Sequence, residues 1–155
     1  MAEMISVSKN FTAAGTEVIF SGSIEEQTDF QAQVGEIRGS LTVNCSGITR
    51  INSVGVKAWI VYFQGMHSSG TKVTFTECSP AIVNQLNMIS NFTGGGDVHS
   101  ILLPYACSLC GKEFMSPIEI KTLLKTDKQI PVLKCEKTGC QATFDDEPDY
   151  LYFLN

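Results

Sequence analysis

Leu41-Thr42-Val43-Asn44-Cys45-Ser46-Gly47-Ile48-Thr49-Arg50-Ile51-Asn52-Ser53-Val54-Gly55-Val56 is the stretch on which the fold turns. From Ser40 to Cys45 the residues alternate, so Leu41, Val43 and Cys45 share one face of a strand. Ser46-Gly47 supplies a turn, and Ile48-Thr49-Arg50-Ile51 follows it. Asn52 and Ser53 are helix-capping residues, because a short side-chain oxygen can accept an N–H that the first helical turn leaves without a partner. Val56, Ile60, Phe63 and His67 then recur at helical spacing, with Trp59 beside that stripe. The helix is expected to give out at Ser68-Ser69-Gly70. The segment therefore reads strand, turn, helix.

The neighbouring segments extend the pattern. Glu17-Val18-Ile19-Phe20-Ser21-Gly22 reads as a strand, and the polar stretch from Ile24 to Gln33 has room for a short helix. Lys72-Val73-Thr74-Phe75-Thr76 is another strand. Ser79-Pro80 then caps a helix, with proline at its first position, where a missing N–H costs nothing. Ile82, Val83, Leu86 and Ile89 form that helix's apolar face, Gly94-Gly95-Gly96 breaks the pattern, and Val98 to Leu103 reads as a last strand. This order predicts an α/β fold with helices on one side of a mixed sheet.

Two separated motifs carry a family resemblance. The strand entering Ser46-Gly47 and then Asn52-Ser53-Val54-Gly55-Val56 resembles the signature of the STAS family, the bacterial anti-sigma-factor antagonists and their relatives. Phe75-Thr76-Glu77-Cys78-Ser79-Pro80-Ala81-Ile82-Val83 resembles the same family's passage from a strand through Ser-Pro into a helix. Together they cover about residues 5 to 103 and imply a STAS-like domain. In relatives that work by partner switching, a kinase that is also the anti-sigma factor phosphorylates the serine at the position of Ser53. The unmodified form binds the kinase, and the phosphorylated form releases it. The resemblance thus implies a partner-binding surface at Asn52, Ser53, Val54 and Gly55, with Ser53 as phosphorylation site. The family's usual aspartate is Asn52 in this chain. A helix N-terminus accepts a phosphate readily, since its N–H groups and dipole favour an anion.

The last third differs in character. Cys107-Ser108-Leu109-Cys110-Gly111 has the spacing at which two thiolates reach one metal across a tight turn, and glycine tolerates the backbone conformation needed after it. Cys135-Glu136-Lys137-Thr138-Gly139-Cys140 is a looser partner, with its glycine before the second cysteine. Phenylalanine follows each pair after four residues, Phe114 and Phe144. The pseudo-symmetry predicts a small zinc ribbon with one structural zinc ion held by Cys107, Cys110, Cys135 and Cys140, and Lys112, Lys134 and Lys137 softening the thiolate charge. Two disulfides would need an oxidising compartment, which nothing in the chain marks. A redox pair would not need the second set. Four protein ligands leave the ion no open position for catalysis. Residues 1–104 are expected to form the STAS-like domain and 105–155 the ribbon, which is too small to be held by apolar burial alone. Its closing Tyr150-Leu151-Tyr152-Phe153-Leu154 is expected to pack back on the rest.

The 155 residues carry a net charge of −5, which disfavours a broad electrostatic grip on nucleic acid or anionic lipid. Lys121, Lys125 and Lys128 read as a solvated face rather than a nucleic-acid patch, with acidic Asp145-Asp146-Glu147-Pro148-Asp149 close behind. Val54 to Phe63, the densest apolar run, is interrupted by Gly55 and Lys57, so no membrane insertion is expected, and the opening residues lack the layout of a secretory signal. Cys45 and Cys78 fit buried thiols. No catalytic constellation stands out. The expectation is a non-enzymatic, cytoplasmic signalling module that binds an anti-sigma-factor or serine-kinase-like regulator; the alternative is a phosphorylation-independent scaffold stabilised by zinc.

Overall fold

The computed structural model describes residues 5–135, 139, 141–146 and 148–155. Among them, β1 (Ser6–Thr12), β2 (Gly15–Ile24), β3 (Ser40–Ile51), β4 (Val73–Thr76) and β5 (Asp97–Val98) form one sheet in that spatial order. β1 and β2 are an antiparallel hairpin, and the pairs from β2 to β5 are parallel, so the sheet is mixed. The connections between the parallel strands hold α1 (Phe30–Val34), α2 (Ser53–Ser68) and α3 (Pro80–Met88).

Alternation decides which face of the sheet is buried. Val18 and Phe20 of β2, Leu41, Val43 and Cys45 of β3, and Val73 and Phe75 of β4 all point into the core. Their neighbours Thr42, Asn44, Thr74 and Thr76 are only half-buried on the other face. The helices cover the apolar face with an aromatic cluster. Trp59 lies almost flat on Phe92 at 5.3 Å and on Phe75 at 5.5 Å, and meets Phe63 edge-on at 4.7 Å. Phe30 brings α1 into the same cluster. Such pairs add roughly 0.5–1.5 kcal/mol each beyond area burial.

The buried side of α2 is Gly55, Val56, Trp59 and Phe63, with Ile60 half-buried and His67 exposed. The stripe expected from sequence is thus rotated toward Trp59, whose indole is the largest side chain that the core encloses. The single strand expected over Val98 to Leu103 is two. β5 stops at Val98, and β6 (Ser100–Cys107) belongs to a second sheet, in which the described strands run β7 (Glu113–Glu119), β6, β9 (Gln141–Phe144), β8 (Leu133–Lys134). Between β7 and β8 lies a short helix, α4 (Ile120–Lys125).

β6 also runs through Leu103-Pro104-Tyr105, where the sequence suggests a joint. At its start the Cys78 N–H donates to the Ser100 carbonyl (3.1 Å) and the Leu102 N–H to the Cys78 carbonyl (2.9 Å), tying it to the chain just beyond β4. The buried core is continuous across this strand, from Ile82 through Ile101, Leu103 and Tyr105 to Leu123 and Ala142. The 3-10 segment Pro148–Leu154 folds back as expected. The Tyr150 hydroxyl donates to the Leu102 carbonyl (2.7 Å). Asn87 of α3 donates to the Tyr150 carbonyl (3.0 Å) and accepts from the Phe153 N–H (2.8 Å).

Candidate metal centre and helix-start site

β6 and β7 form one antiparallel hairpin and β8 and β9 another, and the two lie side by side through the pairs Tyr105–Phe144, Ala106–Thr143 and Cys107–Ala142. This register puts both connecting turns at the same end of the sheet. In the first turn the Gly111 N–H donates to the Cys107 carbonyl (2.9 Å), and in the second the Gly139 N–H donates to the Cys135 carbonyl (2.7 Å). Both glycines are left-handed, at φ 73° and 69°. At the described residues the two turns share this hydrogen bond and this glycine conformation. Gly139 stands where Gly111 stands, four residues after the first cysteine; in sequence Cys110 directly precedes its glycine and Cys140 directly follows its own. Spacing between cysteines alone hides this equivalence.

The turns bring three sulfurs together. Sγ of Cys107, Cys110 and Cys135 all lie within 4.8 Å of one another, the one such group of potential ligands among the described residues. Cys110 and Cys135 are 3.7 Å apart, sulfur to sulfur. Four thiolates at about 2.3 Å from a tetrahedral zinc ion have edges of about 3.8 Å, so this spacing fits a shared metal. Cys107 and Cys135 are buried and Cys110 is exposed. The Lys112 backbone N–H facing Cys110 lowers its pKa, but desolvation and the neighbouring thiols outweigh it and push the thiol above its ordinary value. Three thiols side by side resist ionising together; a cation would reverse that preference. Cys140 and Lys137 lie outside the described residues. Of the other expected counter-charges, Lys112 and Lys134 flank the turns and line one cleft with Phe114 and Leu133.

The start of α2 is the second site. Asn52 is its N-cap, and its side-chain oxygen accepts the Gly55 N–H at 2.7 Å. Ser53 is the first helical residue and is exposed, as are Asn52 and Val54, the latter by 50%. Gly55 is buried because the helix start sits directly on the end of β2. The Asn52 N–H donates to the Ile24 carbonyl (3.1 Å), and a Cβ on Gly55 would stand 2.8 Å from that oxygen. Arg50 and Lys57 are exposed on either side in sequence, and Lys57 falls one helical turn after Ser53.

Elsewhere the structure is structural in the plain sense. Cys45 and Cys78 are fully buried thiols, and burial, with Cys78 as neighbour, pushes the Cys45 thiol well up, which makes it a poor nucleophile. His99 sits 3.8 Å from Glu119 in an exposed pair. The glycine run packs against α2, with Gly94 against its backbone and Gly95 beside His67. No helix among the described residues is long and apolar enough to cross a membrane. A scan of the chain against models of known protein families finds no match, and a search among curated proteins finds none.

Proposed function

We propose that this protein is a non-enzymatic signalling module: a STAS-like α/β unit that engages a regulatory protein kinase, of the anti-sigma-factor kind, through Asn52, Ser53, Val54 and Gly55, braced by a zinc ribbon. The observation that carries the reading is the exposed hydroxyl-bearing residue at the first position of a long, well-anchored helix. It is supported by the passage of β3 into α2 at Asn52-Ser53 and of β4 into α3 at Ser79-Pro80, which follows the order that the family resemblance implies.

Phosphorylation of Ser53 would add roughly 1.5–2 negative charges. The helix dipole favours an anion there by about 0.3–1 kcal/mol, and the i, i+4 spacing to Lys57 adds a counter-charge. Asn52 suits this role. It caps the helix as an aspartate would, yet places no carboxylate beside the incoming phosphate. The helix survives modification while the surface changes from neutral to anionic, which is what releases a partner docked on the hydroxyl.

In the ribbon, Cys107, Cys110 and Cys135 would hold zinc, with Cys140 as the fourth ligand that the sequence supplies. The ion contributes folding free energy there rather than catalysis. A reducing compartment, the cytoplasm, keeps these thiols available. The competing reading, a scaffold that never takes phosphate, is favoured by one observation: the Asn52 side-chain oxygen is taken up by the Gly55 N–H at the helix cap. Phosphopeptide mapping of the protein isolated from its native cells decides between them. One phosphoryl group on Ser53, absent in Ser53→Ala, supports the switch; an unmodified Ser53 under every growth condition, with the assembly intact, supports the scaffold.

A further inference from the structure

α1 meets α2 through Phe30, which packs on Trp59, Tyr62 and Phe63, but the surface beside that contact stays open. Between the segment that leads into α1 and the exposed side of α2 runs an open groove of about 590 Å³, lined by Phe30 and by Ala58, Val61, Tyr62 and Met66. Val61 is 70% exposed in the middle of the longest described helix, with nothing among the described residues covering it. Gly65 follows one turn later on the same wall. A glycine inside a helix costs about 1 kcal/mol relative to alanine, and no packing among the described residues requires it here. A Cβ at Gly65 would meet nothing within 4 Å, whereas one at Gly55 would strike backbone at 2.8 Å. Gly55 is glycine for the fold; Gly65 has no such internal reason.

The charges give the occupant its sign. The side chains lining the groove that are charged at neutral pH are Glu26 and Asp29, both acidic, with no lysine or arginine among the lining residues. An apolar trough with a bare stretch of helix backbone and an acidic rim fits a second helix laid across α2. Such a helix approaches closest where side chains are smallest, since interaxial distance follows the residues at the crossing. We propose that the α1–α2 groove receives an amphipathic helix of a partner protein, with its apolar face on Val61, Gly65 and Met66 and its lysine or arginine residues toward Glu26 and Asp29. This surface is separate from the helix start, and the inference stands without the Ser53 reading or the metal.

The test uses a fluorescent helical peptide of about five turns, leucine and alanine on one face and lysine on the other, beside its counterpart with glutamate for lysine. Anisotropy is read against wild type, Gly65→Leu and Val61→Glu, with melting temperatures for all three. The inference expects the lysine peptide to bind at least about tenfold more tightly than the glutamate peptide. It also expects Gly65→Leu, which has room for its side chain, to melt no lower than wild type yet lose binding by about tenfold or more. Equal binding of both peptides, binding by neither, or Gly65→Leu and Val61→Glu binding like wild type overturns it. So does a wild-type dimer that Gly65→Leu dissociates, because the groove's occupant is then a second copy of the chain.

Discussion

Single residues along α2 separate steric need from chance. Gly55→Ala gains helix propensity but drives a Cβ against the Ile24 carbonyl. Overpacking costs of about 1–3 kcal/mol exceed a propensity gain near 1 kcal/mol, so urea denaturation is expected to show a loss. Gly65→Ala meets open space and is expected to gain up to about 1 kcal/mol in the same assay. Asn52→Ala removes the cap on the Gly55 N–H and is expected to cost about 1 kcal/mol. Tyr62 stacks on Phe30 at 5.6 Å with a buried hydroxyl that has no hydrogen-bond partner among the described residues, and burial pushes its phenol up to about 12. Because the folded value lies above the ordinary one near 10, the fold favours the neutral ring. That contribution is intact below about pH 10 and lost as pH rises through about 12. Tyr62→Phe is expected to melt at or above wild type at neutral pH and to lose less stability under alkali, since no bond is broken and no phenolate must be buried. A lowered neutral melting temperature contradicts this account of Tyr62.

At the scale of elements, legibility followed burial. β3 announced itself because its inner residues Leu41, Val43 and Cys45 are buried and the intervening ones are not. β1 left no such trace: as an edge strand its residues are exposed apart from half-buried Val7, so hydrophobic alternation had nothing to report. α1 is shorter than the polar stretch suggested, since it begins only where Asp29 caps the Ala32 N–H and Phe30 enters the core. The groove beside it was invisible in the sequence for the opposite reason. Val61 belongs to an apolar run, and nothing local tells an exposed valine from a buried one. The C-terminal segment is held by particular bonds as well as by apolar residues. Asn87→Ala removes both of its links to Tyr150 and Phe153, and each ordinary hydrogen bond contributes about 0.5–1.5 kcal/mol. Faster proteolytic clipping of the last residues, with the first sheet's melting little changed, is the expected result, read by limited digestion and intact mass.

Across the whole molecule the two sheets share one core through β6, so the second sheet adds its strands to an existing apolar surface rather than building its own. That arrangement explains why the division near Pro104 reads so clearly in composition yet falls inside a strand. Cysteine spacing exposed the first cysteine-bearing turn of the second sheet and only half of the second. The backbone equivalence of Gly139 with Gly111 requires the hydrogen bonds to be seen. In the proposed zinc ribbon the ion would be the main tie holding the turn end of the second sheet closed. Chelation of the reduced protein is therefore expected to unfold the ribbon end while the Trp59 cluster, distant in the fold, keeps its fluorescence. Cys107→Ser is expected to do the same without chelator. The most direct measurement is metal content and zinc-edge absorption on protein purified under reducing conditions without added metal. The account predicts one zinc per chain with four sulfur neighbours at about 2.3 Å. A reduced, metal-free chain whose second sheet is fully folded, and whose thiols react freely with an alkylating reagent, would contradict it.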